Sequence, residues 1–310
     1  MKRAVLFFYL IVLSASNLCS QQNDFPKLTG PYLGQKPPRT TPDIFAPGIV
    51  ATDMNEHSPA AFSPDGKELF WSATNGDRFF IYQMKDVDGV WTKPIVAEFT
   101  KGLDATNPVF SVDGEKLFFT SQIVENNKWH ITLHYVEKTK DGWSQPKKVD
   151  SITNFGGISY QVSFSKDGTI YFSAEREGDA GSYNIYKAKF VNGEFSKPEK
   201  LDRFINSELP ETSVYIAPDE SYIIFRRYIR VENDVLMDFY ISFKKDGSWT
   251  EPICFTDKLE AKGGGFWIGL SPDQKYIFFV KKEMRNQYIN RSSEMFWVDA
   301  VIIEELRPKK

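Results

Sequence analysis

The stretch AFSPDGKELFWS, Ala61 to Ser72, runs from a small polar start through a turn into large hydrophobics. The chain writes it again as VFSVDGEKLFFTS from Val109, SFSKDGTIYFSAE from Ser163, YIAPDESYIIFRR from Tyr215 and GLSPDQKYIFFVKK from Gly269. The aspartates Asp65, Asp113, Asp167, Asp219 and Asp273 are 48, 54, 52 and 54 residues apart. Self-similarity at such a period marks a repeat architecture, and a four-stranded propeller blade has about this length. Ser, Pro, Asp and Gly suit successive positions of a type I turn, with Pro64, Pro218 and Pro272 pre-setting φ. Glu220 and Gln274 stand where the other copies have glycine.

A second turn follows the first four copies: Asp88-Gly89, Asp141-Gly142, Asn192-Gly193 and Asp246-Gly247. Such pairs between hydrophobic runs are a strong hairpin signal, because both central residues must take positive φ. Each is followed by an aromatic, Trp91, Trp143, Phe195 or Trp249, and then by a proline, Pro94, Pro146, Pro198 or Pro252. A proline cannot donate to a ladder, so it belongs on the outermost strand. Each unit therefore reads as four hairpin-linked strands.

The fifth unit, ending in EMFWVDAVIIEELRP, has no Asp-Gly turn and no clear fourth strand. The segment FAPGIVATDMNEHSP from Phe45 can supply it, with Ile49 to Thr52 expected to complete the last blade and close the ring. The expectation is an all-β single β-propeller of four-stranded blades over residues 44–310, closed by an N-terminal strand. Five blades are expected, with six the alternative. Residues 21–43 read as a Pro-rich lead-in without regular structure.

The repeated phrase resembles the WD40-like repeat called PD40 of the TolB-type β-propellers, over most of Ile44 to Val301. That resemblance implies an extracytoplasmic bacterial propeller, often accessory or protein-binding. The best-known members have six blades, whereas this chain supplies five clear copies.

The N-terminus MKRAVLFFYLIVLSASNLCSQQ has a charged start, an apolar core and a small-residue end, the pattern of a secretory signal peptide over residues 1–20. A lipidated Cys19 is the rival reading. Removing residues 1–20 leaves 36 of the 38 Lys and Arg against 41 acids, a net charge of −5. No later stretch is long and apolar enough to span a membrane. A mildly acidic chain with no basic run lacks a nucleic-acid footprint. Only Cys254 would remain, so no intrachain disulfide is expected. An exported monomer follows, in the periplasm, at the outer-membrane surface or secreted, with a protein or glycan as partner.

Both regular turn sets belong to one face of the ring. The opposite face collects the irregular loops and the polar approaches to each inner strand, and function favours such loops over a rigid frame. The approaches bring Glu56, His57, Thr106, Asn107, Tyr160, Gln161, Glu211, Thr212, Phe266 and Trp267 toward the channel. Second-strand ends add Arg226, Arg227 and Lys281, with Arg176 further out. The candidates for ligand binding are Glu56, His57, Asn107, Tyr160, Gln161, Arg176, Glu211, Arg226, Arg227 and Trp267: an aromatic-walled pocket with guanidinium groups suited to carboxylate or sulfate. Channel mouths are also polar for purely structural reasons. A non-catalytic binding propeller is the first reading. A lyase or hydrolase of acidic glycans is the alternative, with His57 or Tyr160 as base and Arg226 or Arg227 neutralising a uronate.

Other signals weigh less. His130 and His134 share a strand face but lack further ligands, so no metal and no cofactor is expected. The phrase matches a sialidase Asp-box only loosely. No G-x-S-x-G elbow occurs, Gly263-Gly264-Gly265 lacks the Lys-Ser/Thr of a phosphate loop, and DVDG from Asp86 lacks the further oxygens of a calcium loop.

Overall fold

The computed structural model describes residues 25–125, 128–176, 183–191, 194–231, 234–262, 264–282 and 293–309. The expected signal peptide with Cys19, and the Asn192-Gly193 turn, lie outside the described residues. Five antiparallel sheets form a five-bladed β-propeller. In blade 2, Ala105–Phe110 is the inner strand, followed by Lys116–Glu125, Lys128–Thr139 and the outer Lys147–Lys148. Blades 1, 3 and 4 repeat that order, with outer strands Ile95–Val96, Glu199–Lys200 and Ile253–Cys254. Each of these outer strands begins just after the proline of its unit, which leaves the missing N–H outside the ladder.

Hydrophobic alternation in the strands builds five clusters at the five joints between blades. Phe70, Phe99, Phe119 and Val136 fill the joint of blades 1 and 2, and Phe118, Phe164, Phe172 and Tyr186 that of blades 2 and 3. Tyr171, Ile223, Phe225 and Trp249 fill the next, followed by Phe239, Ile268, Phe279 and Phe296, and lastly by Phe45, Phe62, Phe278 and Trp297. No single blade could bury its faces alone; each is stable only between neighbours.

Blade 5 contains Gly265–Leu270, Tyr276–Lys282 and Ser293–Asp299, and its fourth strand does come from the N-terminus. That strand is Asp43–Ile44, paired with Trp297 and Phe296, and not Ile49 to Thr52. Phe45, fully buried against Phe62, Phe278 and Trp297, sets the earlier register. The apolar run that follows folds into a turn, where Ile49 and Val50 both donate their N–H to the Ala46 carbonyl. Val50 is buried in that turn, so its hydrophobicity is satisfied without a strand.

The lead-in is also built into the ring. The Leu28 carbonyl accepts the Trp91 N–H at 3.0 Å, and the Gly30 carbonyl accepts Trp91 Nε1–H at 2.9 Å. Leu33 is buried, and the Tyr32 ring meets Phe62, Tyr276 and Trp297.

Two of the loops expected to be irregular are ladders instead. In blade 2 pairing continues to Glu125 and Lys128, and in blade 4 to Val231 and Asp234. Two long hairpins therefore rise from the face opposite the regular turns.

Every inner strand is irregular at the same level. Register slips between Thr106 and Val109, Ile158 and Val162, Thr212 and Tyr215, and Gly265 and Trp267. In blade 1 the strand breaks into Asn55–Glu56 and Ala61–Phe62. A bulge re-aims the side chains beside it, and these five point polar and aromatic groups at the axis of the ring.

Candidate functional site at the channel mouth

His57 of blade 1, Tyr160 of blade 3 and Trp267 of blade 5 meet. The ring of His57 lies 5.4 Å from that of Tyr160 and 4.9 Å from that of Trp267, and Tyr160 lies 5.8 Å from Trp267. Blades 1 and 3, like blades 3 and 5, are not neighbours, so such contacts are possible only at the axis. Gln161 makes the same crossing below, donating Nε2–H from blade 3 to the Ile268 carbonyl of blade 5. Phe79 completes the ring cluster, 4.2 Å from His57.

Hydrogen bonds hold these rings in place. His57 Nδ1 is 3.0 Å from Thr106 Oγ1, which is itself 2.7 Å from Ser72 Oγ. Asn107, at a φ of 52° in its bulge, donates Nδ2–H to the same Thr106 oxygen at 3.2 Å. Tyr160 donates its hydroxyl to Gln122 Oε1 at 2.9 Å. Burial raises the Tyr160 phenol above its ordinary range, which keeps it a donor at neutral pH.

Arg226 joins from blade 4. It is buried, and its guanidinium carbon lies 5.0 Å from the Tyr228 ring, 5.3 Å from Phe266 and 5.4 Å from Trp267. Its Nε–H goes to Thr212 Oγ1 at 3.2 Å and an NH2 hydrogen to Tyr228 Oη at 2.8 Å. Desolvation works against its charge and the Tyr228 hydroxyl supports it.

The remaining candidates do not join this cluster. Arg227, next on the strand, points to the opposite sheet face and binds Glu211 Oε1 at 2.9 Å. Arg176 is exposed over the Phe155 ring, and Lys281 sits over Phe296 with its ammonium on the Glu260 carbonyl. Glu56 and Glu211 are buried, and each binds the backbone of its own approach loop: Thr52 N–H reaches Glu56 Oε1 and Ser207 N–H reaches Glu211 Oε1. His134, four residues from His130, is taken up inside blade 2 by Ser121 and Thr132.

Sequence reasoning missed Phe79 and Tyr228. Tyr228 is two residues beyond Arg226 in one strand, so the period of 2 already placed both on one face. Phe79 begins a third strand, and nothing local distinguishes it from the core aromatics of the same strand.

The other end of the channel differs in kind. An opening of about 170 Å³ there is walled by Phe62, Phe110, Phe164, Ile216 and Leu270, one from each blade. Ser111, Ser271 and Gln274 are polar side chains that line it, and Arg226 is not among its walls.

No protein-family model matches the chain, and no curated protein matches it in sequence. In structure it is similar to TolB from Acinetobacter baumannii, with a TM-score of 0.51 at 17% identity, over 81% of this chain and 59% of that one. The likeness is one of fold. The chain spans 59% of that protein's length. It is also similar to a thermostable family-43 glycoside hydrolase (TM-score 0.48, 13% identity, 80% of this chain and 91% of that one). A further similar structure is an endo-arabinase from Bacteroides thetaiotaomicron (TM-score 0.48, 10% identity, 80% and 95%). Among the described residues, no helix is long and apolar enough to cross a membrane.

Proposed function

We propose that this chain is an exported, monomeric propeller of the PD40-repeat kind that binds a glycan or protein ligand at the channel mouth without transforming it. The observation that carries this reading is the meeting of His57, Tyr160 and Trp267, from three blades, beside the buried cation of Arg226. Convergent aromatic faces with a few fixed polar groups are what a ligand site requires. Glu56 and Glu211 bind their own loops, a structural use of these two carboxylates.

The second reading, an enzyme acting on acidic polysaccharide, is favoured by one observation: the two groups proposed as base, His57 and Tyr160, do lie together. Against it, Tyr160 holds its proton more tightly than an ordinary phenol. Glycan-array screening and capture from envelope extract, each with the full chain and its Trp267→Ala variant, separate the readings. Binding lost in the variant, with no product formed, supports the first. Turnover of any polysaccharide rejects it.

A further inference from the structure

Arg226 and Arg227 are consecutive residues that the fold treats in opposite ways. Arg227 has Glu211 as counter-charge. Arg226 is the more buried, and no carboxylate of the described residues pairs with it. Its five N–H donors meet three acceptors, Thr212 Oγ1, Tyr228 Oη and the Gly265 carbonyl, none of them a carboxylate. A charge taken from water without a counter-charge is costly, and an apolar replacement of similar volume is often neutral or stabilising. Three ring faces offset part of that cost. Two donors remain beyond the three acceptors.

The inner-strand bulges of the mouth also hold polar atoms without partners. Asn107 Oδ1, Gln161 Oε1 and Ser213 Oγ are buried with no hydrogen-bond partner among the described residues. All three belong to inner-strand bulges, and Ser213 follows the Thr212 that holds Arg226. Buried polar atoms of this kind ask for an explanation, and a bound polar ligand would supply partners.

We infer that Arg226 anchors the carboxylate of an acidic sugar whose ring lies on the half-buried rings of Phe266 and Tyr160, which the buried Trp267 backs. This rests on the reading of the mouth as a binding site and names its ligand class. A planar carboxylate matches the guanidinium fork with two parallel hydrogen bonds. Flat rings meeting at an axis suit the C–H faces of a pyranose. A peptide is more often held by an unpaired sheet edge or a long apolar groove.

The test is calorimetric titration of the full chain with three probes: a linear trisaccharide of hexuronic acid, its methyl ester, and an acidic peptide of equal charge. The acid is expected to bind, and the ester at least ten-fold more weakly. Arg226→Met is expected to lose at least ten-fold in affinity for the acid while its thermal midpoint stays equal or rises. A merely structural arginine would lower the midpoint instead. Arg226→Lys keeps the charge without the fork and falls between the two, so the inference stays testable if the methionine variant does not fold. Equal binding of acid and ester, both abolished by Trp267→Ala, keeps the mouth as a site and overturns the carboxylate anchor. Binding of the peptide alone overturns the sugar. Binding of none of the probes, with array and extract screens also empty, removes the mouth as a site altogether.

Discussion

Glu56 and Glu211 occupy the same place in blades 1 and 4, but only Glu211 faces an arginine. Across the ladder Glu211 pairs with Arg227, whereas Glu56 pairs with Ala73. Both carboxylates accept a backbone N–H from four residues earlier, and in each loop that earlier hydroxyl, Thr52 or Ser207, accepts the N–H two residues on. The same turn is thus built twice around a buried acid. Burial raises both groups. Ser207 and Arg227 oppose that rise at Glu211, which stays raised, while Glu56, with Glu294 adding to the effect of burial, is pushed up to about 8.

This difference predicts a pH dependence. Between the ordinary carboxylate range and pH 8 the folded chain holds the Glu56 proton and the unfolded chain does not. Stability from this group is therefore complete below about pH 4 and is lost as pH rises through 8, with a slope of at most about 1.4 kcal/mol per pH unit. Urea unfolding of Glu56→Gln from pH 5 to 9 should lack that slope and exceed the parent in stability at pH 9. Glu211→Gln, which leaves Arg227 without its counter-charge, should lose roughly 3 kcal/mol at the alkaline end of that range, where the pair is fully ionised. Parallel curves for parent and Glu56→Gln would show that Glu56 is ionised in the fold.

The N-terminal strap should matter to stability as much as the closing strand does. Tyr32 is wedged among Phe62, Tyr276 and Trp297 with its hydroxyl on Asp273 Oδ1 at 3.0 Å, and burial pushes its phenol up to about 12. Leu33 beside it is buried. A chain beginning at Asp43 should be less stable than one beginning at Gln21 by roughly 2–4 kcal/mol, the value of one buried and one half-buried large side chain. Tyr32→Phe should lose about 1 kcal/mol, the worth of one hydrogen bond. Equal denaturation midpoints for the two chains would mean that the strap contributes nothing.

The two turns without glycine carry a contact between blades in its place. Glu220 and Gln274 sit at φ of 57° and 59°, where the glycines of the other copies sit at 70° to 81°. Glu220 accepts the hydroxyl of Tyr171 at 2.8 Å and Gln274 that of Tyr215 at 2.7 Å, each from the preceding blade. Glu220→Gly should relieve the left-handed strain, about 1 kcal/mol. It should also remove the Tyr171 contact and the Lys244 ion pair, and so still destabilise by about 1–2 kcal/mol net. Tyr171→Phe combined with Glu220→Gly should then be less than additive in a double-mutant cycle. Full additivity would show that the two groups do not interact.

Much of this architecture is local, and local features are legible. The Ser-x-Asp turns recur because Ser63, Ser111, Ser165 and Ser271 each hydrogen-bond the aspartate two residues on, a contact written entirely within three positions. Asp88-Gly89 and Asp246-Gly247 take positive φ at both residues, as a hairpin of that type demands, whereas at Asp141-Gly142 only the glycine does. Period, turn chemistry and proline placement therefore determined the blades, their number and the source of the closing strand.

What the sequence alone could not determine depends on pairs that are far apart in the chain. The closing register was set by Phe45 finding Phe278 and Trp297, more than 230 residues away, and no local pattern separates it from Ile49 and Val50. Which arginine points to the axis was decided by the strand's face and by Glu211 claiming Arg227. The meeting of His57, Tyr160 and Trp267 exists only because ring closure brings three bulges to one axis. Local propensity acts over a few residues, whereas contacts across a channel arise from the summed geometry of all five blades. The frame was therefore readable from the chain, and the mouth took shape only in the folded ring.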